Sequence, residues 1–366
     1  MIIVKKVVKN QLLLEFIKYF IALFLGIIIG AILIILKGEN PLVAYYMLFK
    51  GALGSRAALA QTLRWTTPAI LTGLATAIGF RIGVFNLGVE GQLYIGALIA
   101  AIVGYAVPFA NRVHAIVALL LGSLAGGLYA LLPAILWMRY RINEIVNTLM
   151  LNYVAYLLTE YITRHFLMEN SVSAVPKQIV SPEIANSAKL PLLMPPYQAN
   201  IGFIVAIILA LVLSYLFFRT STGYTLNIIG QNPSFASYGG VNVRRLGTVA
   251  FIVSGMIGGL TGALEILGVH HQFAANFSVN LGFDGVLIAL LAKTNPLGII
   301  VVGFFWGILK NGALAMERMT SANKIVIQVV QALFVLFLTV DTGVVKQLLA
   351  KRVAWTKGVH KDGDAI

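Results

Sequence analysis

The feature that most constrains this chain is a series of uninterrupted apolar runs, of which 20–36, 201–218 and 325–340 are the clearest. Each approaches the roughly 20 residues that a helix needs to cross about 30 Å of hydrocarbon. A membrane β-strand would alternate polar and apolar residues instead, and these runs do not. With 59% hydrophobic and only 11% charged residues over 366 positions, the chain is too apolar for a soluble protein and too long for a single anchor. The expected fold class is an all-α polytopic membrane protein, one transmembrane domain over 1–366.

The formal charge of +14 does not indicate nucleic-acid binding. The basic residues are dispersed between the apolar runs and form no single stripe, so they read as orientation signals. Lys5, Lys6, Lys9 and Lys18 precede the first run, and Lys346, Lys351, Arg352, Lys357 and Lys361 follow the last, which predicts that both termini are cytoplasmic. The first run is too long for a signal peptide and no small-residue cleavage site follows it. There is no cysteine, so disulfides and thiolate metal sites are excluded.

Hydropathy and loop charge predict about ten passes, near 17–36, 62–80, 91–108, 114–138, 145–167, 200–218, 247–268, 283–293, 297–316 and 325–341. The stretch 41–59, with Tyr45, Tyr46 and Phe49 among Lys50 and Arg56, reads as an interfacial helix outside the cell. Arg139, Arg141, Arg219, Arg244 and Arg245 fall on the cytoplasmic side, while Arg112, Lys177, Lys189 and Arg318 fall outside, so the positive-inside bias is moderate. The external loop 168–199, rich in Ser, Pro and Asn, is either a plain connector or a surface for an outside partner.

A hexapeptide recurs: Asn86-Leu87-Gly88-Val89-Glu90-Gly91 and Asn280-Leu281-Gly282-Phe283-Asp284-Gly285. The copies lie five passes apart, an odd number, which predicts two inverted repeats, the architecture of many transporters. Glycines flanking a carboxylate between apolar segments predict interrupted helices, and irregular backbone at membrane depth survives only against protein or a water-filled path. Glu90 and Asp284 then either face that path or cap the helices that follow; the two readings are compatible.

The fifth pass opens with Asn143, Glu144, Asn147, Thr148, Asn152 and Tyr153. On a helix Glu144, Asn147, Thr148 and Asn152 share a face that must point into the bundle. Thr148 is expected to serve helix packing; Asn147 and Asn152 either line a path or bond neighbouring helices. Gly26/Gly30, Gly122/Gly126, Gly255/Gly259, Gly258/Gly262 and Gly303/Gly307 are GxxxG spacings that predict close helix contact. In the loop 219–247, predicted cytoplasmic, Asn232 and Pro233 read as a cap and first helical position, with Gly239-Gly240 ending a short helix. No phosphate-binding G-x-x-x-x-G-K-[ST] motif or H-E-x-x-H motif is present, so ATP hydrolysis by this chain alone is not expected.

From about Leu59 to Val340 the sequence resembles the permease subunits of bacterial ABC-type nucleoside importers, within the wider branched-chain amino acid, simple sugar and nucleoside permease family. The residues that carry the resemblance are Gly83-Val84-Phe85-Asn86-Leu87-Gly88-Val89-Glu90-Gly91-Gln92, the stretch 143–153, and Gly230-Gln231-Asn232-Pro233 with Gly239-Gly240-Val241 and Ser254-Gly255. The resemblance implies a transport subunit of the bacterial cell membrane, not an enzyme. It further implies ATP and Mg held by two partner ATPase subunits and no cofactor in this chain. A second permease subunit, often a different chain, and an external substrate-binding lipoprotein would complete the assembly.

The resemblance also implies that Gly230, Gln231, Asn232, Pro233, Phe235, Ala236, Tyr238, Gly239 and Gly240 contact the ATPase. A nucleoside presents a flat base and hydroxyls, so its path calls for aromatic faces, amides and carboxylates. The candidates are Asn86, Glu90, Gln92, Asn147, Asn152, Tyr153, Asn276, Phe283 and Asp284, with Trp65, Phe85 and Phe277 as further aromatics. The alternatives are an importer of the same build for a monosaccharide such as ribose, or an ion-coupled secondary carrier acting through Glu90 and Asp284.

Overall fold

A computed structural model describes residues 24–107, 113–168, 179–320, 328–329 and 331–332. Among them the regular elements are helices, with two isolated β-bridges, Val180 with Ala274 and Leu192 with Asn200. The expected pass 325–341, residues 17–23 of the first pass, the terminal lysines, Arg112 and the stretch 169–178 with Lys177 lie outside the described residues or almost wholly so. In chain order the α-helices are α1 (Phe24–Leu36), α2 (Pro41–Leu53), α3 (Arg56–Arg81), α4 (Val89–Ala106), α5 (Val113–Tyr140), α6 (Glu144–Ile162), α7 (Gly202–Arg219), α8 (Ser221–Gln231), α9 (Pro233–Tyr238), α10 (Val243–Glu265), α11 (Leu281–Leu291) and α12 (Pro296–Met319).

Five of these helices are long and apolar enough to cross a membrane: α4, α5, α7, α10 with its wider terminal turn to His270, and α12; a sixth span arises if α1 and α2 form one broken pass. α11, the expected pass 283–293, has 11 residues and rises only about 16 Å, half a bilayer. It is a half-helix, and the interruption expected from its glycines lies in the chain that leads into it.

Contacts divide the chain into two compact units. One draws on Met1–Tyr46 and Met316–Ile366; in it Tyr45 Oη donates to the carbonyl of Ile27 at 2.7 Å. The other, Met47–Ala315, contains α3 to α11 and the candidate site. Within this second unit α10 packs against α5, α4 and α3, and α3 packs against α11 and α7.

The local signals explain the helix ends. Ser55 caps α3 by accepting from Ala58 N at 3.0 Å, and α3 stops where Gly83 adopts φ +76°, a backbone region that favours glycine. The chain 82–88 then leads to α4 without a regular element. α10 loosens into a wider turn at Ile266–His270 and ends at His271 in the left-handed region; the chain 272–280 leads to α11.

Small residues decide the packing. A Cβ on Gly126 would lie 2.6 Å from Gly259 Cα, one on Gly122 2.8 Å from Gly96 O, and one on Gly255 2.7 Å from Gly126 O, so α4, α5 and α10 meet backbone to backbone. Gly262 faces the Leu93 carbonyl, Gly303 faces Ile70, and Gly307 faces Thr66. The GxxxG pairs at 122/126, 255/259, 258/262 and 303/307 thus serve close packing, as their spacing predicts. On α5, Leu120, Leu124 and Leu128 recur at four-residue spacing and are exposed, a face suited to lipid.

Candidate functional site

The two hexapeptide copies meet. Glu90, 1% exposed, lies in the first turn of α4, and its Oε2 accepts the backbone N–H of Gly282 at the start of α11. Its Oε1 accepts from Ser278 Oγ at 2.7 Å. Asp284 lies in the first turn of α11 and is paired with Lys310 of α12. Both acids therefore occupy helix N-termini, where the peptide dipoles favour negative charge. Glu90, however, bonds the N-terminus of α11, so the capping contact joins the two hexapeptide copies. Gly282 permits this: a Cβ there would sit 2.5 Å from Glu90 N and 2.7 Å from its Cα.

Amides pin the irregular backbone around this point. Asn86 Oδ1 accepts from Gly88 N at 2.9 Å, and its Nδ2 donates to Ser254 Oγ at 2.9 Å and to Gln92 Oε1 at 3.3 Å. Ser254 donates onward to the Ala75 carbonyl at 2.7 Å, which joins the break 82–88 to α10 and α3. Asn152 Oδ1 accepts from Gly91 N at 2.8 Å, and its Nδ2 donates to the Leu87 carbonyl at 2.9 Å. Asn147 donates to the carbonyl of Pro133 in α5 at 3.0 Å, and Thr148 to the Glu144 carbonyl at 2.7 Å. Asn147 thus bonds α6 to α5, Thr148 bonds back within α6, and Asn152 holds the start of α4.

Beside Glu90 stands an aromatic cluster. The Tyr94 ring lies 4.6 Å from that of Tyr156, 5.0 Å from Phe277 and 6.3 Å from Phe273. Tyr94 Oη accepts from Ser278 N at 3.3 Å, so the same serine joins ring and carboxylate. Of the residues expected on the path, Asn86, Glu90, Gln92 and Asn152 gather at this centre with Phe277 in the cluster. Asp284 and half-buried Phe283 sit on α11. Asn276 is exposed in the turn before α11, and Tyr153 is 62% exposed with its ring edge toward Tyr156 at 6.1 Å. Phe85 pairs with Phe80 at 4.8 Å, away from the cluster.

Sequence patterning passed over Tyr94, Tyr156, Phe273 and Ser278, and also the charged residues Arg64, Glu265 and Lys310. The overlooked signal was available: each of these charges stands inside an expected pass, and an ionisable group at membrane depth is a functional candidate by default. Arg64 Nη2 donates to Glu265 Oε2 at 2.8 Å, Arg64 lies 3.8 Å over the Trp65 ring, and His270 Nε2 approaches Glu265 Oε2 at 3.6 Å. Lys310 also donates to the Val279 carbonyl at 3.3 Å and faces Trp65 at 5.2 Å. Among the described residues no group of three or more His, Asp or Glu is placed to hold a metal ion.

The segment 230–240 forms as its Asn-Pro and Gly-Gly pairs predict. Asn232 caps α9, accepting from Phe235 N at 3.0 Å, with Pro233 at the first helical position, and Gly240 turns the chain at φ +81°. Phe235 and Tyr238 are 65% and 92% exposed, while Ala236 is buried. Gly230, at the end of α8, abuts Arg81 and Gly83, which connects the segment to the break before α4. Arg81 also lies 4.5 Å over the Phe217 ring of α7.

A bundle of apolar helices in which the N-termini of α4 and α11 meet at a buried carboxylate suits a membrane transport protein, and sequence comparison gives its family. The chain belongs to the family described as branched-chain amino acid transport system / permease component, which matches residues 58–338. It is accordingly a multi-pass membrane transport component and not an enzyme. Among its relatives, the guanosine ABC transporter permease protein NupP of Bacillus subtilis is 34% identical over 323 residues, 87% of this chain and 91% of the relative. The nucleoside ABC transporter permease protein NupB of Lactococcus lactis subsp. cremoris is 28% identical over 353 residues, 94% and 96% of the two chains. The glucose ABC transporter permease protein TsgB13 of Haloferax volcanii is 28% identical over 317 residues, 85% and 83%. No solved structure matches the chain.

Proposed function

We propose that this chain is the membrane-spanning permease subunit of an ABC importer that moves nucleosides inward by alternating access. The observation that carries the reading is the near full-length similarity to NupP and NupB. The site adds chemical support, because aromatic faces beside a carboxylate and amides suit a base with ribose hydroxyls.

The packing supports two inverted repeats. In each, a long helix (α3 or α10) is followed by an irregular stretch and then by a helix that carries the hexapeptide (α4 or α11). The long helix of each repeat packs against the second helix of the other, α3 with α11 and α10 with α4. This exchange is what an approximate two-fold axis in the membrane plane would produce. About ten passes and cytoplasmic termini complete the proposed topology. Cargo would pass between α4 and α11 at Glu90, lined by Asn86, Gln92, Asn152, Phe283 and Asp284.

In this reading ATP and Mg are bound by two partner ATPase subunits, onto which the cytoplasmic segment 219–247 docks through Phe235, Tyr238 and their neighbours. Movement of α9 would reach the break before α4 through Gly230 and Gly83. The external segment 168–199 would meet a substrate-binding lipoprotein, and a second permease chain would form the other half of the pore.

A monosaccharide cargo is the second reading, favoured by the identity to TsgB13. Uptake of labelled guanosine, uridine and ribose into vesicles holding this chain, its ATPase, a sister permease and the binding protein separates them. ATP-dependent nucleoside uptake that ribose barely competes with is expected. Ribose uptake alone would move the cargo to sugars, and uptake without ATP would overturn the ABC reading in favour of a carrier.

A further inference from the structure

The Arg64–Glu265 pair joins α3 to α10, and it leaves part of the guanidinium unpaired. Arg64 is only 6% exposed, and one of its nitrogens, Nη2, donates to Glu265 at 2.8 Å. Its Nε and Nη1 are shielded from solvent and have no hydrogen-bond partner among the described residues. The Trp65 ring covers one face of the guanidinium at 3.8 Å, which fixes the plane in which the idle donors point. A buried ion pair is stable when its remaining protons are met by acceptors, and unmet buried donors call for an explanation.

The surroundings supply one. Glu265 is approached by His270 at 3.6 Å, and the His270 ring meets that of Phe277 at 5.4 Å. Phe277 belongs to the aromatic cluster beside Glu90, so Arg64 is linked through Glu265, His270 and Phe277 to the place proposed for the base. A guanidinium has donors and no acceptor. A group that satisfies it must bring lone pairs: a carbonyl oxygen does, and an exocyclic amino group, itself a donor, does not.

Resting on the nucleoside reading above, we propose that Arg64 is a specificity-determining, cargo-binding residue that donates to a carbonyl oxygen on the base, with Glu265 as its positioning residue. The site then takes 6-oxopurine nucleosides in preference to 6-aminopurine ones. A site built to hydrogen-bond a substrate group rejects the analogue lacking it, because the site's own buried groups are left unpaired.

Inosine and adenosine differ only at ring position 6 and in the adjacent N1, which bears hydrogen in inosine and a lone pair in adenosine. With the full assembly in vesicles, the ratio of inosine to adenosine uptake is compared between the native chain and the double variant Arg64→Met/Glu265→Leu. Removing both charges together leaves neither buried alone, and such replacements are commonly tolerated. The ratio is expected to fall by about tenfold or more in the variant, the loss typical of a charge-assisted hydrogen bond. An unchanged ratio, or equal loss of both nucleosides, would overturn the proposal while leaving the importer reading intact. Absence of ATP-dependent uptake of any nucleoside by the native assembly would instead sink that reading. Should the variant fail to assemble, labelled inosine is displaced from the native permease–ATPase complex in detergent without the binding protein. Inosine displacing at about tenfold lower concentration than adenosine supports the assignment; equal displacement, or no displaceable inosine, overturns it.

Discussion

The carboxylate of Glu90 accepts the backbone N–H of Gly282, 192 positions away, and so ties the first copy of the hexapeptide to the second. An anion at the start of α11 is favourable on its own. Here it belongs to α4, so the N-termini of α4 and α11 share one buried charge. Movement of one half against the other must alter this contact.

Replacing Glu90 with alanine is therefore expected to abolish ATP-dependent uptake while the subunit still co-purifies with its ATPase. Wild-type uptake by that variant would remove Glu90 from the path. Glu90→Gln keeps an acceptor for Gly282 and is expected to retain more activity than alanine.

Gly282→Ala attacks the same contact from the other side. The added methyl would lie 2.5 Å from Glu90 N, closer than any carbon tolerates, so α11 must shift. Loss of uptake with assembly intact is expected; a fully active variant would show that the approach of α4 and α11 is not needed.

Asn152 satisfies two backbone groups of the first interruption, Gly91 N and Leu87 O. Asn152→Ala leaves both unmet, at about 1–3 kcal/mol for each buried group. Thermal unfolding of the purified subunit should fall clearly below wild type. Leu128→Ala, at a position 71% exposed, is expected within about 0.5 kcal/mol of wild type as a surface substitution, though lipid contact adds its own share.

Gly259 faces Gly122 and Gly126 across α5, and no side chain there can swing clear of backbone. Gly259→Leu should prevent close approach of α5 and α10 and reduce the yield of folded protein in membranes. A normally folded Gly259→Leu subunit, judged by size-exclusion profile and protease resistance, would contradict the packing described.

Tyr238, 92% exposed at the end of α9, has little to do for the fold of this chain alone. Tyr238→Ala is expected to leave thermal stability unchanged but to lower ATP-driven uptake or ATPase co-purification. If both remain at wild-type level, docking does not run through this residue.

The apolar runs made a helical membrane protein legible from the sequence, because crossing hydrocarbon imposes a length and a composition on each segment that few other folds require. Capping and turn chemistry was local too: Asn232-Pro233 and Gly239-Gly240 delimit a short helix wherever they stand, and GxxxG spacing marks a face on any helix. The repeated N-L-G-x-acid-G pointed to Glu90 and Asp284 before any contact was known. What these residues touch was a matter for tertiary structure alone. The 3.6-residue period says which face Asn147 and Asn152 share, but not that Asn147 reaches Pro133 while Asn152 reaches Gly91 and Leu87. Nor does any local pattern bring Arg64 to Glu265 across 201 positions, or Tyr94 to Phe277, or one copy of the hexapeptide to the other. Such pairs are chosen by how the helices pack, and that packing is decided by which glycines allow backbone to meet backbone.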